Sequence, residues 1–158
     1  MTTMEKKDRY ELLCRQIESL IVGEENQMGV LANVSAALHD AFPECFFWIG
    51  FYLVKGGELQ LGPFQGPVAC MHIQKGRGVC GTAWQQQKSL IVPDVEQFKG
   101  HIACSSESRS EIVVPFFNKA GEVAGVIDAD SKDLNAFDDT DRQYLENIAK
   151  ILSNALAF

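Results

Sequence analysis

Apolar side chains recur along this chain with two different periods, and each change of period marks an element. From residue 5 to about 22, Tyr10, Leu13, Cys14, Ile17, Leu20 and Ile21 fall at three- and four-residue steps. That spacing lines one face of a helix, which Gly23 ends. Met28, Leu31, Val34, Ala37 and Leu38 repeat the spacing over a second helix, about 26 to 40, closed by Phe42-Pro43. FFWIGFYLV, 46 to 54, is apolar on both alternating faces and rich in aromatic and β-branched residues, which predicts a central strand covered on both sides. Lys55-Gly56-Gly57-Glu58 turns the chain back into ELQLGPF as a hairpin. Further on, a short helix is expected from Val79 to Gln87, a strand from Ser89 to Val92, and a loop of Ser, Gly, His and charges from 94 to 110. EIVVPFF, the turn Asn118-Lys119-Ala120-Gly121 and EVAGVIDAD make a second hairpin. Asp138-Asp139-Thr140-Asp141 opens a last helix, with acidic groups at its positive end and Tyr144, Leu145, Ile148, Ile151, Leu152 and Ala155 as its core face. The order α-α-β-β-(α)-β-β-β-α, with hairpins joining strands, predicts an α+β domain in which helices pack on an antiparallel sheet. No repeat, low-complexity segment or linker divides residues 1–158, so one domain is expected.

Charge narrows the partners. Lysine and arginine number 14 against 21 acidic residues, a formal charge of −7, and no segment carries a basic stripe. Nucleic acid and anionic membrane are poor fits. The opening residues MTTMEKKDRYELLC are charged throughout, and no run of about 18 apolar residues occurs, so a cytoplasmic protein is expected. In a reducing compartment, five cysteines point to catalysis, redox chemistry or metal binding rather than to permanent disulfides.

Reactive groups concentrate between Cys70 and Glu111, a stretch holding three of the five cysteines and two of the three histidines. Cys14 lies on a helix face and Cys45 precedes the aromatic strand, so both read as structural thiols. Cys70, Cys80 and Cys104 have Gly, Ser, His or Arg nearby, surroundings that favour a thiolate. Two other uses fit the same residues: a zinc site built from Cys70, His72, Cys80, His101 and Cys104, although no Cys-x-x-Cys pair seeds it, or a Cys104 nucleophile served by His101 or His72 as base. If the second hairpin closes symmetrically about Lys119 and Ala120, Glu111 lies opposite Asp128 and Arg109 opposite Asp130, all on one face. Two shielded carboxylates about 5 Å apart cannot both ionise easily, and one becomes a general acid near neutral pH. The alternative is a solvated acidic pair at the open end of the hairpin. Along the first strand Trp48, Gly50 and Tyr52 share a face, Gly50 leaving room between the rings, which suits either a small-molecule pocket wall or ordinary core. The glycines of GRGVCG match no phosphate-binding pattern and let backbone approach something closely.

KGRGVCGTAW, VPDV, HIACSSESRSEIVVP, and GVIDADS followed by FDDTD together closely resemble the free methionine-(R)-sulfoxide reductases, a branch of the GAF-domain superfamily. The likeness runs from about residue 20 to the end. It implies a single GAF-like domain with a central antiparallel sheet of about six strands and N- and C-terminal helices packed against it. It makes Cys104 the nucleophile and Cys70 or Cys80 the resolving thiol, Cys70 preferred. Glu111, Asp128 and Asp130 surround the sulfoxide, Glu111 being first choice as acid, while Trp48 meets the substrate's methyl group and Tyr52 shares its wall. The implied cycle runs through a Cys104 sulfenic acid and an intramolecular disulfide that thioredoxin re-reduces, in a homodimer without cofactor or metal. A ligand-binding GAF sensor without catalysis is the competing expectation, and it gives three grouped thiols no role.

Overall fold

Thr2 starts the first helix. Its hydroxyl accepts from the Glu5 amide at 3.1 Å while the Glu5 carboxylate accepts from the Thr2 amide at 3.0 Å, a reciprocal cap that occupies two N–H groups the helix leaves free. Asn26 caps the second helix through Gly29, and Asp138 caps the last through Thr140 and Asp141. The computed structural model, which describes residues 1–102 and 104–158, accordingly has α1 (Thr3–Ile21), α2 (Gln27–Ala41), α3 (Gly78–Gln86) and α4 (Asp139–Ala155). Six strands, β1 (Trp48–Lys55), β2 (Glu58–Gln65), β3 (His72–Ile73), β4 (Leu90–Val92), β5 (Ser110–Phe117) and β6 (Val123–Ser131), form one antiparallel sheet in the order β3-β2-β1-β6-β5-β4. The expected α+β GAF-like architecture is the one found. The periodicity reading located five of these strands; the two-residue β3 is too short to carry a period. No helix among the described residues is long and apolar enough to cross a membrane.

Alternation along β1 divides the interior in two. Ile49, Phe51 and Leu53 face α1, α2 and α4, joined by Ile112, Val114, Phe116, Ile127 and Ala129 from β5 and β6. Trp48 and Tyr52 face the other way, toward α3, together with Val113, Val126, Ile73, Val79 and Trp84. Both faces of β1 are thus covered, as its unbroken apolar run requires. The helical layer is tied together by Asp141, a buried carboxylate that accepts from the Tyr10 hydroxyl at 2.6 Å and from the Lys6 ammonium at 2.8 Å.

The second hairpin departs from the expected register. Asn118 closes its turn by accepting from the amides of Ala120 and Glu122, and an irregularity between Phe116 and Phe117 displaces the ladder. Glu111 therefore pairs with Asp130, and Val113 with Asp128; Glu111 is diagonal to Asp128, and Arg109 is not opposite Asp130. The displacement is two residues, so the pleat keeps Glu111, Asp128 and Asp130 on one face. A displacement of one would have separated them.

Candidate functional site

The carboxyls collect on the α3 side of the sheet because three strands deliver them there in register. Trp48 of β1 pairs with Asp130 of β6, Gly50 pairs with Asp128, and Asp130 pairs in turn with Glu111 of β5. Helix α3 lies across these positions and sets Cys80 over the acids: its Sγ is 4.0 Å from Glu111 Oε2. Cys80, Glu111 and Asp128 are all buried, and Asp130 is half-buried beside them. His101 approaches from the β4–β5 connection, Nε2 3.9 Å from Glu111 Oε1.

Burial, with Asp128 and Asp130 adjacent, pushes the Glu111 carboxyl well above its ordinary value. Burial and the neighbouring Asp128 do the same to Asp130. Burial also raises Asp128, but hydrogen bonding from Glu111 and Cys80 and the nearby His101 hold it back. Glu111 and Asp130 are both held toward the neutral form, Asp128 less so, and burial of Glu111 and Asp128 means that the acids are not a solvated surface pair. The Cys80 thiol is driven well above its ordinary value by burial and then by the three carboxyls, so it stays protonated. Burial pushes His101 down, toward neutral imidazole.

Aromatic rings of β1 and β2 form one wall. Trp48 stacks between Tyr52, centroids 5.9 Å apart, and Phe64, 5.0 Å apart. Their polar ends hold the chain that follows β2: the Trp48 indole N–H donates to the Pro67 carbonyl at 3.1 Å and the Tyr52 hydroxyl to the Cys70 carbonyl at 2.9 Å. Gly50 does not leave an open gap between the rings. A Cβ there would lie 2.3 Å from Phe64 Cβ and 2.7 Å from Phe64 Cα, because β2 closes on β1 at an irregularity between Gly50 and Tyr52.

Anchored by Tyr52, Cys70 forms a disulfide with Cys104 across a Cα separation of 5.7 Å. Cys80 remains a free thiol. The other two thiols lie with the α1, α2 and α4 core: Cys14 next to Asn147, and Cys45, pushed up to about 12 chiefly by burial, against the Ala136 carbonyl. The five-residue zinc set is not assembled, since Cys70 and Cys104 are bonded to each other and His72 pairs with Glu58 on the outer strand. A His72 base for Cys104 fails for the same reason.

Between the ring wall, the disulfide and the acids lies a cavity of about 50 Å³, room for a few water molecules. Seven of the eight candidate positions line it directly, Trp48, Tyr52, Cys80, Cys104, Glu111, Asp128 and Asp130, Cys70 being the exception. Sequence reading missed Arg77, Ser105 and Ser108, which also face it, and the role of the α3 N-terminus. That helix start has no side-chain cap, and Gly78, at φ +62°, brings its first turn to the cavity under Ile102. The glycine spacing of GRGVCG was the available signal. A larger groove of about 480 Å³ between α4 and β5 contains neither cysteine nor histidine, and its one carboxylate, Glu146, is already held by Arg142 and Ser89.

The GAF domain family matches residues 29–157 of the chain. GAF domain-containing protein A of Dictyostelium discoideum is 61% identical over 150 residues, 94% of this chain and 93% of that protein. The free methionine-R-sulfoxide reductase of Saccharomyces cerevisiae is 41% identical over 163 residues, 99% of this chain and 91% of that one. The X-ray structure of free methionine-R-sulfoxide reductase from Neisseria meningitidis in complex with its substrate superposes with a TM-score of 0.91 at 50% identity, covering 95% of this chain and 89% of that chain.

Proposed function

The chain belongs to the GAF-domain family and, within it, to the free methionine-R-sulfoxide reductases, and from that premise we propose that it reduces free L-methionine-(R)-sulfoxide to methionine through a thiol cycle. The observation that carries this reading is the Cys70–Cys104 bridge beside a cavity lined by Glu111, whose carboxyl burial and its acidic neighbours hold toward the neutral form. A sulfoxide oxygen leaves only when protonated, so an acid and a thiolate must act on the same group.

The Cys104 thiolate attacks the sulfoxide sulfur while Glu111 gives its proton to the oxygen. Oxygen passes to Cys104 as a sulfenic acid and methionine departs, so sulfur of the substrate is reduced by two electrons and Cys104 is oxidised by two. The Cys70 thiol then attacks the sulfenic sulfur, water leaves, and the disulfide forms. Two features favour Cys70 over Cys80 for this step: its Cα separation of 5.7 Å from Cys104, within bridging range, and the protonated, buried state of Cys80. A dithiol protein of the thioredoxin kind, with its low reduction potential, returns the pair to thiols. Trp48 and Tyr52 receive the S-methyl group, Asp128 and Asp130 position the polarised sulfoxide with Glu111, and the uncapped α3 N-terminus beside Arg77 offers N–H groups to the α-carboxylate of a free amino acid. In this cycle the bridged form is the oxidised product, and reduction returns it to the thiol form that takes up substrate. This reading needs no resident cofactor. It makes the protein a cytoplasmic homodimer, with the exposed Met4 and Leu12 of α1 as candidates for the interface.

Consumption of separated free methionine-R-sulfoxide and methionine-S-sulfoxide, alongside a peptide-bound sulfoxide, with dithiothreitol as reductant, tests the proposal. Turnover of the free R form alone is the expected result. No turnover of any form by protein with titratable thiols would leave a ligand-binding GAF domain as the reading.

A further inference from the structure

Among the described residues, Asp128 Oδ1 is the one buried side-chain oxygen or nitrogen with no hydrogen-bond partner. No lysine or arginine in that described set lies within 4.0 Å of Glu111, Asp128 or Asp130, and the basic side chain in reach is His101, 3.9 Å from Glu111. Cys80 Sγ, a carboxylate oxygen of Glu111 and one of Asp128 lie within 4.8 Å of one another, all buried, and no other three His, Cys, Asp or Glu residues gather this way among the described residues.

We propose that this pocket binds one thiophilic divalent cation, of which zinc is the type, through Cys80 Sγ, Glu111 and Asp128 with His101 as fourth ligand, and that the cation excludes the sulfoxide substrate. One sulfur, two oxygens and one imidazole nitrogen form a donor set that zinc accepts in tetrahedral geometry. Magnesium and calcium, which take oxygen ligands, are selected against by Cys80 and His101. Ligands at ordinary zinc–sulfur and zinc–oxygen bond lengths stand about 3.6 Å apart on a tetrahedron. Cys80 Sγ and Glu111 Oε2 are 4.0 Å apart, so a small closure completes that edge. Glu111 and Asp128 are fixed on adjacent strands and Cys80 on the helix above them, leaving His101 in the β4–β5 connection as the ligand that must swing in. The orphaned Asp128 oxygen gains a partner. Exclusion of substrate rests on the reductase reading, since the same carboxyls serve both ligands; cation binding itself does not.

Bridged protein is the form to test, because the disulfide removes Cys70 and Cys104 as ligands. Titration with Co²⁺, followed by the thiolate-to-cobalt charge-transfer absorption, is expected to saturate at one equivalent per chain, to be reversed by Zn²⁺ and to be unaffected by Mg²⁺. The absorption should vanish in Cys80→Ser, persist in a Cys14→Ser/Cys45→Ser variant, and require more than about tenfold more metal in Asp128→Asn. No absorption, or one that survives in both Cys80→Ser and Asp128→Asn, overturns the site; if Cys80→Ser does not fold, Asp128→Asn decides. In the second arm, pre-reduced and desalted protein performs a single turnover with no added dithiol to sequester metal. Zn²⁺ should slow methionine release, and excess sulfoxide should relieve the inhibition; inhibition that substrate does not relieve overturns the competition. Reductase activity without the absorption defeats this inference alone, whereas the absorption without reductase activity defeats the functional reading alone.

Discussion

Cys70, Cys80 and Cys104 differ in surroundings rather than in kind, and their substitution should separate them. Cys104→Ser is expected to abolish methionine formation, since Cys104 is the exposed cysteine that lines the cavity with Glu111, whereas Cys80 is buried. Cys70→Ser should yield about one methionine per chain with a thioredoxin-type reductant, read by rapid quench; undiminished steady turnover would pass the resolving role to Cys80. For Glu111 the direction of its shift decides two measurements. Its folded-state value is raised by burial and by Asp128 and Asp130, so the proton required for catalysis is lost as pH rises through that raised value, and activity should fall there in the wild type. The same shift is a stability statement. A carboxyl raised above its unfolded value of roughly 4.3 contributes fully below that pH, and the contribution is lost as pH rises through the folded value. Glu111→Gln should therefore lose most activity yet unfold a few degrees higher than wild type at pH 8, the difference shrinking toward pH 4, because wild type alone must bury or protonate a third carboxyl. A variant equally active across pH 5–9 would remove Glu111 as the acid.

Elements bring these groups together by register, so the tightest backbone contacts matter more than their distance from the chemistry suggests. Gly50→Ala would drive a methyl into Phe64, whose Cα and Cβ cannot both yield without moving β2 away from β1. A loss of roughly 1–3 kcal/mol in chemical denaturation is expected, together with a rise in KM, since Phe64 backs Trp48. Unchanged stability would mean that the β1–β2 irregularity absorbs the methyl. Strand parity was legible within each of EIVVPFF and EVAGVIDAD, because alternation alone puts Asp128 and Asp130 on one face of their strand, while Glu111 joins them only through the pairing. The pairing was not. Asn118 captures two turn amides and the ladder slips beside Phe116, a combination of side-chain hydrogen bonding and packing that no spacing in the hairpin encodes. Likewise His72–Ile73 becomes a strand only because β2 presents Leu59 and Gln60 as partners.

For the molecule as a whole, the bridge links segments 34 residues apart and closes the cavity over the acids. Bridged protein should accordingly bind methionine at least about tenfold more weakly than reduced protein in calorimetry, and backbone hydrogen exchange between residues 98 and 108 should slow on oxidation. Equal affinity of the two forms would mean that the bridge does not gate the pocket. Sequence alone determined the layers, since periods of 3.6 and 2 residues dictate which side chains must leave water: four helices, the twice-covered strand β1 and the two hairpins follow from that demand. It also singled out Cys70, Cys80 and Cys104 by the polar company they keep, and the motif likeness named the chemistry. Tertiary structure decided which thiol bonds to which, that Cys80 is sealed among carboxyls, that the α3 N-terminus opens on the cavity, and that His72 stays outside. These are matters of a few ångströms between groups distant along the chain, and hydrophobic periodicity, a local signal, specifies which face a residue takes without specifying what it meets there.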